Sequence, residues 1–534
     1  MTQSSFDSPR WRATWEFVRR ARRWLLEYWP QVVIALFSIS VAYFSWRFHE
    51  PFRDEVQLVL TAREVPWARL IAACRVEGAT PVVYIVAKLL SAPFSGHASL
   101  AIIGGLSQFV LLSGMFRLVT VVSRRRFAAI VVTLAFATTF SLVYELGVIV
   151  RQYACGLGFS LFAMAYFYSA LEEEEASDRN VVIASVFAGL ASLTVTHAGC
   201  VSLSVALVHA IVCAEEGRWR RVALTAVGAA PAAFITLYLI SPYGGRTPIA
   251  NAAANPTWTD IVGEVRHLFF AAHLPESRWG YLWPSTANEI AKYLVAAVVL
   301  AAATEVIRTK RLSASMRVLF GGVALGWLPL LYIFVIRYRG FHRHHLFLTT
   351  PILVVTAGYL ARELFTRGRA RFVGIAGFAL MTPWFLLQWD IARFELRADL
   401  ALPYCATKAV AKRLPSKAHV ISDTNYSAIG VLFWRPDISL RSCDGEGRVM
   451  RYNPPDAIWL NHVPMDPLIR QECQSAPSST FVVTTLAYSR TPLVSACARG
   501  DASYTVTTRD PSEANHVFAI DCDCVAKSKV PGTP

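Results

Sequence analysis

The most concentrated chemistry in the sequence is RYRGFHRHH at 337–345, which lies between two strongly apolar segments. Its arginines and histidines are Arg337, Arg339, His342, Arg343, His344 and His345. A guanidinium group binds two phosphate oxygens at once, and a histidine adds donors whose charge adjusts near neutral pH. The run therefore predicts a site for an anion such as a phosphate. The alternative is a solvated loop, or a patch that contacts acidic lipid headgroups.

Two neighbouring carboxylates, Asp54 and Glu55, follow the first long apolar segment of the chain. A carboxylate that is shielded from bulk water beside a bound phosphate can act as a general base on a hydroxyl or an amine. The pair therefore supplies the candidate catalytic residues. The alternative is that both carboxylates cap a helix and fill its first turn, where acidic residues are favoured.

Other polar residues are expected at the same level as the acidic pair. The segment YELGVIVRQYACG carries Glu145, Arg151 and Tyr153, and we expect Arg151 to help bind the phosphate. His197 lies in a short polar break between two apolar segments. Glu145 and Arg151 could instead pair with each other, and His197 could be an ordinary interfacial residue.

Composition places the chain among polytopic membrane proteins. It has 534 residues, 54% of them hydrophobic, and a mean hydropathy of +0.40. The net charge of +15 would suggest nucleic acid in a soluble protein, but most Lys and Arg residues flank apolar blocks, so we exclude that class of partner. The basic stretch 10–23 precedes a full apolar span without a cleavage site, which predicts an anchor rather than a signal peptide.

Blocks of about 16–25 apolar residues predict eleven membrane-spanning helices. The predicted spans are 29–47, 98–122, 127–147, 154–171, 181–197, 199–214, 222–241, 290–307, 318–336, 346–361 and 372–390. The excess of Lys and Arg in alternate loops places the N-terminus in the cytosol, and it places Asp54 and residues 337–345 on the outer face. Residues 181–214 could form one long helix, but the polar break THAG at 196–199 favours two.

The first outer loop, residues 48–97, is too long for a simple connection. Apolar residues recur at helical spacing over 55–74, which predicts an amphipathic helix on the membrane surface. Residues 82–94 are apolar but short for a span, so they predict a second interfacial helix that begins at Pro81. Together the two helices would form the floor of a cavity at the level of the lipid headgroups.

Three domains follow from these patterns: a basic amphipathic cytosolic N-terminus (1–28), a transmembrane domain (29–390) and a small α/β domain (391–534). In the last, a helix is predicted over 404–414, and strands at 419–423, 457–463, 481–489 and 516–524. Its six cysteines are Cys405, Cys443, Cys473, Cys497, Cys522 and Cys524. An even number suits disulfides in an oxidising compartment, with the pairing open; the alternative is reduced cysteines in a cytosolic domain.

The order of these features resembles the C-type membrane glycosyltransferases, in particular the group of protein O-mannosyltransferases and bacterial aminoarabinose transferases. That group has an acidic pair after the first span, a PPLYY-like motif, an R-x-Y-like motif, a basic element before a late span and, in many members, a C-terminal periplasmic domain. The counterparts are Asp54-Glu55, EGATPVVYIV (77–86), RQY (151–153), RYRGFHRHH (337–345) and residues 391–534. Thr80 stands where the family has its second proline.

The resemblance implies transfer of a sugar from a polyprenyl-phosphate donor to a glycan, lipid or protein acceptor at the outer face of the bacterial cytoplasmic membrane. Asp54 corresponds to the family's base, and the Arg/His run would stabilise the departing lipid phosphate, whose negative charge grows in the transition state. The substrate cavity would be lined by Glu77, Tyr84, Glu145, Tyr153 and His197.

Other functions compete with this interpretation. An O-antigen ligase or polymerase also uses outer Arg and His residues on polyprenyl pyrophosphate, but the acidic pair favours the first reading. A transporter or flippase predicts ionisable residues near mid-membrane, whereas the predicted spans have nearly uncharged interiors. A non-catalytic assembly protein is a further alternative. His344 and His345 with Glu77 could bind zinc, but their spacing is not diagnostic, so the sequence leaves a divalent metal open. The expected partners are the lipid-linked donor, membrane lipids and the acceptor.

Overall fold

The computed structural model describes residues 9–49, 53–76, 80–150, 152–175, 177–240, 285–308, 313–331, 346–401, 406–422, 425–435, 437–442, 465–476, 478–485, 492–506 and 515–528. The N-terminal helices are α1 (Pro9–Phe48), α2 (Arg53–Glu64), α3 (Trp67–Val76), α4 (Pro81–Ser91), α5 (Gly96–Ser123), α6 (Arg126–Ala137), a π-helix (Ser141–Val148) and α7 (Gln152–Glu172). Next come α8 (Ser177–Thr194), α9 (Thr196–Glu215), α10 (Trp219–Ile240), α11 (Ser285–Arg308), α12 (Ala314–Leu331), α13 (Leu346–Leu364) and α14 (Arg369–Ala401).

The C-terminal part combines short helices with five strands. Its helices are α15 (Ala406–Arg413), α16 (Asn425–Trp434), α17 (Met465–Ser475), α18 (Pro492–Cys497) and α19 (Cys522–Lys527). Its strands are β1 (His419–Ser422), β2 (Ser439–Ser442), β3 (Thr480–Thr485), β4 (Ala498–Val506) and β5 (Asn515–Ile520). The chain is thus a polytopic helical protein with a small C-terminal sheet region, as the sequence predicts.

Within the described residues, seven helices are long and apolar enough to cross a membrane, or eight if a bent pair counts as one span. The seven segments are Glu27–Phe48, Gly96–Ser123, Gln152–Glu172, Thr196–Glu215, Glu289–Ile307, Ala314–Leu331 and Arg369–Arg397. Helices α8, α10 and α13 occupy further predicted spans but are not among these seven. The predicted count of eleven is therefore not confirmed.

The predicted span 127–147 is the bent pair, formed by α6 and the π-helix with 68° between them. At the bend the side-chain hydroxyls of Thr138 and Thr139 bond back to the carbonyls of Leu134 and Phe136, at 3.2 and 2.6 Å. Such side-chain bonds to the preceding turn compete with the regular ladder and bend helices. The hydropathy pattern does not reveal the bend, because the segments on both sides of it are hydrophobic.

Residues 181–214 form two helices, as the polar break predicts. Val195 between α8 and α9 is extended, with φ −159° and ψ 134°. A Cβ built on Gly199 would lie 2.9 Å from Ser192 Oγ, and Ser202 Oγ bonds to the carbonyl of Ala188 at 3.4 Å. Contacts on both sides of one turn mean that α8 and α9 run antiparallel.

Helices α5 and α7 approach each other through glycines. A Cβ on Gly158 would lie 2.6 Å from the backbone nitrogen of Leu111, and one on Gly114 would lie 2.5 Å from the carbonyl oxygen of Gly158. Small residues allow this approach, and packing of this kind drives helix association in lipid, where the hydrophobic effect between helices is absent.

The loops predicted to be cytosolic lie together at one end of the helices. Arg124 at the end of α5 pairs with Glu172 at the end of α7 at 2.6 Å, and Arg317 on α12 pairs with Glu215 on α9 at 3.1 Å. Arg125 lies 5.7 Å from the ring centre of Phe365 in the loop after α13. The contacts bring loops that are far apart in the sequence to one side, as the alternation of charge requires.

At the opposite end, the helix predicted over 55–74 is two helices, α2 and α3, because Pro66 interrupts it. Helix α4 begins at Pro81 as predicted. Residues 58–62 of α2 are all buried within the protein. Helix α16 from the C-terminal part covers α2 on one side. A Cβ built on Gly96 would touch both Val59 of α2 and Phe433 of α16, at 3.0 and 2.9 Å, so the two side chains lie close together.

Helices α2 to α4 therefore share one hydrophobic core with the C-terminal sheet region. The core runs from Leu58 on α2 through Leu432 on α16 to Val420 and Val517 on the sheet. Beside it, the ring of Trp434 makes an edge contact with His97 at 5.2 Å. The C-terminal part is thus attached to the outer-loop helices by buried apolar surface, the dominant stabilising term in such contacts.

The sheet has the order β2-β1-β3-β5-β4, with β1 parallel to β2 and β3, and with β5 antiparallel to β3 and β4. Strands β1, β3 and β5 coincide with predicted strands, while residues 457–463 lie outside the described part of the chain. Strands β2 and β4 were not predicted. The first is the four-residue polar SLRS, and the second carries charges and an irregular register between Arg499 and Tyr504.

Two disulfides, Cys473–Cys522 and Cys497–Cys524, join α17 and α18 to α19. Near α15 and α16, Arg435 donates to the carbonyls of Ala411 and Leu414, both at 3.0 Å. Its hydrogen bonds to the carboxylate of Asp437 lower the pKa of that carboxyl below its usual range. Cys405 and Cys443 lie outside the described residues.

The α5–α7 contact gives a stability prediction. Replacing Gly158→Ala is expected to lower the free energy of unfolding by about 1–3 kcal/mol, because the added Cβ meets backbone that can only move with its helix. The measurement is the melting temperature of the purified protein in detergent. Gly321→Ala is the matched control, since its Cβ would meet only Val208 Cγ1 at 3.6 Å. Equal shifts for the two variants would contradict the packing argument.

Candidate functional site

Glu55 is the centre of a small buried network at the predicted outer end of the spans. Its side chain is 1% exposed, and Oε2 lies 3.0 Å from His49 Nε2, just after α1. Its other oxygen, Oε1, accepts a 2.6 Å hydrogen bond from the backbone N–H of Val150. One carboxylate therefore joins the end of α1, the first turn of α2 and the segment that leads into α7.

Asp54 lies in the first turn of α2, one residue before Glu55. Its backbone position is fixed by the helix, and its side chain lies outside what the structure describes. Its place in the first turn is the one that the helix-end alternative predicts, and its role as a base stays a prediction. The same first turn carries Glu55, so the backbone around Asp54 is attached to His49 after α1 and to Val150 before α7.

Helix α4 is anchored beside the turn between α8 and α9. Thr80 is its N-cap residue, and the Thr80 hydroxyl donates to the carbonyl of Thr194, the last residue of α8. Lys88 near the other end of α4 donates to the carbonyl of Ala62 at 2.9 Å. Tyr84, a predicted cavity residue, is 6% exposed and belongs to the core shared with the C-terminal part.

Phe347, which the sequence did not single out, connects two predicted site residues. It is fully buried in the first turn of α13, with its ring centre 6.0 Å from that of Tyr153 and 5.7 Å from that of His197. Tyr153 and His197 lie in the first turns of α7 and α9. The starts of three helices are thus held together by one aromatic side chain.

The start of α13 also bears on the Arg/His run. Phe347 follows His345 by two residues, and Tyr153 follows Arg151 by two residues. The contact between their rings therefore brings the sequence neighbours of both predicted phosphate-binding elements to one place. Together with α2 and α4, five helices begin in this region, and the N-terminal ends of helices favour negative charge.

Several predicted residues lie outside the described part of the chain. They are Glu77, Arg151, Arg337, Arg339, His342, Arg343, His344 and His345. Of the other predicted cavity residues, Glu145 lies in the π-helix and is 5% exposed, and Tyr153 is 8% exposed. The structure thus brings Glu55, Tyr153 and His197 to the same end of the bundle.

Two buried glutamines extend the polar character below this region. Gln108 on α5 and Gln388 on α14 have no exposed surface. Gln388 Oε1 accepts from the backbone N–H and the hydroxyl of Ser141, at 3.4 and 3.3 Å. Both glutamines were missed because each lies within a long apolar block, where a single amide barely changes the pattern.

Metal ligands were left open by the sequence. Among the residues that the structure describes, no group of three or more His, Cys, Asp or Glu side chains is placed to hold a metal ion. The predicted zinc ligands Glu77, His344 and His345 are not part of that set, so their joint position stays a prediction.

The Phe347 contact gives a second stability prediction. Replacing Phe347→Ala should destabilise the protein by about 3–5 kcal/mol, because it leaves a cavity between α7, α9 and α13. Phe372→Ala is the matched control, since that ring is 70% exposed and its loss should cost less than about 0.5 kcal/mol. Thermal unfolding in detergent measures both, and similar melting temperatures for the two variants would refute the packing role.

Comparison with known proteins shows which fold the chain shares. No protein-family model and no curated protein sequence matches the chain. Two crystal structures of ArnT from Cupriavidus metallidurans match, one bound to undecaprenyl phosphate with a TM-score of 0.51 and one in the apo state with a TM-score of 0.50. Each is 14% identical and covers 93% of this chain and 98% of that chain. The chain therefore has the fold of ArnT, an aminoarabinose transferase of the C-type class, along nearly its whole length.

Proposed function

We propose that the protein transfers a sugar from a polyprenyl-phosphate donor to an acceptor at the outer face of the bacterial cytoplasmic membrane. The observation that carries the proposal is the convergence at one end of the helices of the first turns of α2, α7, α9 and α13. These turns contain or adjoin the acidic pair, the RQY motif and the Arg/His run. The fold supports it, since one of the matching ArnT structures is bound to undecaprenyl phosphate.

In the proposed reaction, Asp54 accepts the proton of an acceptor hydroxyl or amine while the acceptor atom bonds to the anomeric carbon of the sugar. The bond between that carbon and the phosphate oxygen breaks, and its electron pair leaves with the lipid phosphate. A base in this position contributes typically about 10²–10⁴-fold to the rate. The sugar, hexose or pentose, and the acceptor are not specified by these residues.

The leaving phosphate gains negative charge as its bond to the sugar breaks, so groups that bind this charge accelerate the reaction. We assign this role to Arg151 and to the run Arg337, Arg339, His342, Arg343, His344 and His345. The contact of Phe347 with Tyr153 supports the assignment, because it joins the sequence neighbours of both elements. The N-terminal ends of the converging helices add positive partial charge at the same place.

The walls of the proposed substrate cavity come from Glu77, Tyr84, Glu145, Tyr153 and His197. Among these, Tyr153 and His197 are supported by their contacts with Phe347. Aromatic and imidazole side chains suit a sugar site, because they combine an apolar face with groups that hydrogen-bond hydroxyls.

The proposed orientation places the N-terminus in the cytosol and residues 391–534 in the periplasm. The two disulfides of this domain support it, since disulfides persist in oxidising compartments.

The orientation predicts how the thiols react. In wild-type cells Cys473, Cys497, Cys522 and Cys524 should resist a maleimide reagent until they are reduced. In cells whose periplasmic oxidation is disabled, all four thiols should react with the maleimide without prior reduction. Mass shifts on gels measure this, and the variant with four serines at these positions supplies the background. Thiols that react equally in both kinds of cell would contradict a periplasmic domain.

The function is tested by replacing Asp54→Asn in the native host. Surface glycans and polyprenyl-phosphate sugars are then compared by mass spectrometry with those of wild-type and deletion strains. We expect normal protein levels, accumulation of one donor lipid, and one glycan or glycosylated product that lacks a sugar, as in the deletion strain.

Glu64→Gln is the matched control, because Glu64 lies at the other end of α2 and pairs only with the adjacent Arg63 among the contacts the structure describes. It should leave the glycans as in wild type. Glycans of wild-type composition in the Asp54→Asn strain, with a clear change in the deletion strain, would remove Asp54 as the base.

A further inference from the structure

The carboxylate of Glu55 is engaged on both oxygens. Oε2 lies 3.0 Å from His49 Nε2, Oε1 accepts from the Val150 N–H at 2.6 Å, and the side chain is 1% exposed. A general base needs an oxygen that can reach the acceptor's proton. We propose that Glu55 is a positioning residue, which with His49 holds the first turn of α2, and thus Asp54, against the segment that precedes Arg151. This inference rests on the proposed function.

His49 is the second member of the pair and directly follows α1. Its backbone N–H donates to the carbonyl of Ser45 at 3.3 Å, and its side chain is 10% exposed. The Ser45 hydroxyl donates in turn to the carbonyl of Val148 at 3.0 Å. Helix α1 is therefore bound to the segment 148–150 twice, directly through Ser45 and indirectly through His49 and Glu55. This closed set of contacts leaves the three chain segments little freedom to shift.

The third segment is also held from the side. Val150 is 1% exposed, and a Cβ built on Gly104 of α5 would lie 2.8 Å from Val150 Cγ2. Val150 is thus packed against α5 while its N–H is bound by Glu55. Arg151 follows it directly in the sequence, as Glu55 follows Asp54. One side chain thereby connects the chain at the proposed base to the chain at a proposed phosphate ligand, which are about 95 residues apart.

A glutamine at position 55 separates positioning from catalysis. Glu55→Gln keeps an oxygen that accepts from Val150 and removes the basic carboxylate, whereas Glu55→Ala removes both. If Glu55 positions Asp54, sugar transfer should fall about threefold with Gln and about a hundredfold with Ala, because small displacements of reacting groups cost about 10²-fold. If Glu55 were the base, Gln would be as inactive as Ala.

The structural half of the proposal has its own readout. Exchange of the Val150 amide hydrogen, followed by mass spectrometry of the full-length protein in nanodiscs, should be at least about tenfold faster in Glu55→Ala and close to wild type in Glu55→Gln. His49→Ala should show an intermediate effect, and the His49→Ala/Glu55→Ala double variant should resemble Glu55→Ala, since both residues act through one contact. Glu64→Ala is the control at the exposed end of the same helix.

Binding of undecaprenyl phosphate to the same nanodiscs completes the experiment. We expect affinity to fall about tenfold in Glu55→Ala and to stay at the wild-type value in Asp54→Asn. Unchanged amide exchange in Glu55→Ala, or equal loss of transfer with Gln and Ala, would overturn the positioning role. Absence of lipid binding and of any glycan change in the wild-type and deletion comparison would instead overturn the proposed function, while the exchange result would still decide the role of Glu55.

Discussion

A backbone N–H or C=O near lipid must find its partner within the protein, because the bilayer offers none. Helices satisfy this requirement by themselves, so the difficult places are where helices end. Between the π-helix and α7, the backbone groups are satisfied by side chains of two other segments and by the last turn of the π-helix. The carbonyl of Val148 accepts from Ser45, the N–H of Ile149 donates to Tyr144, and the N–H of Val150 donates to Glu55. The candidate site is built around this junction.

The junction explains why an acidic residue is buried so deeply beside the proposed base. A carboxylate with 1% exposure is costly unless its oxygens are hydrogen-bonded. Here the partners are the backbone N–H of Val150 and a ring nitrogen of His49. One hydrogen bond thus satisfies both the Val150 N–H and the carboxylate of Glu55. Stability and site geometry are therefore not independent in this region.

The parts predicted from the sequence are those that depend on local pattern. Apolar blocks identify the membrane class, the break at 196–199 separates α8 from α9, and Pro81 marks the start of α4. The resemblance to C-type transferases, carried by short motifs in the right order, is confirmed at the level of the fold.

The features that the sequence does not predict depend on contacts between residues far apart in the chain or on backbone geometry. The burial of α2 requires the C-terminal part, so its pattern looks like that of a surface helix when the loop is considered alone. The network of Glu55 involves a backbone N–H at Val150, and a backbone donor leaves no trace in residue types. Phe347 looks like any other aromatic residue in an apolar block. The bend after α6 arises from threonines that bond to the preceding turn, a geometry that composition does not encode.

Because α2 and α16 share one core, that core can form only after the later helix has been synthesised. About 360 residues separate the two helices in the chain, so at about 5–20 residues per second α2 exists for roughly 20–70 s before its partner is made. During that time residues of α2 such as Val59 lack the cover that α16 gives them in the complete protein. Helices α2 to α4 can reach their final packing only after the C-terminal part has been synthesised and has folded against them. The site is accordingly completed from the end of the chain back to its beginning, and a chain that stops early carries the acidic pair without the cover that buries its helix.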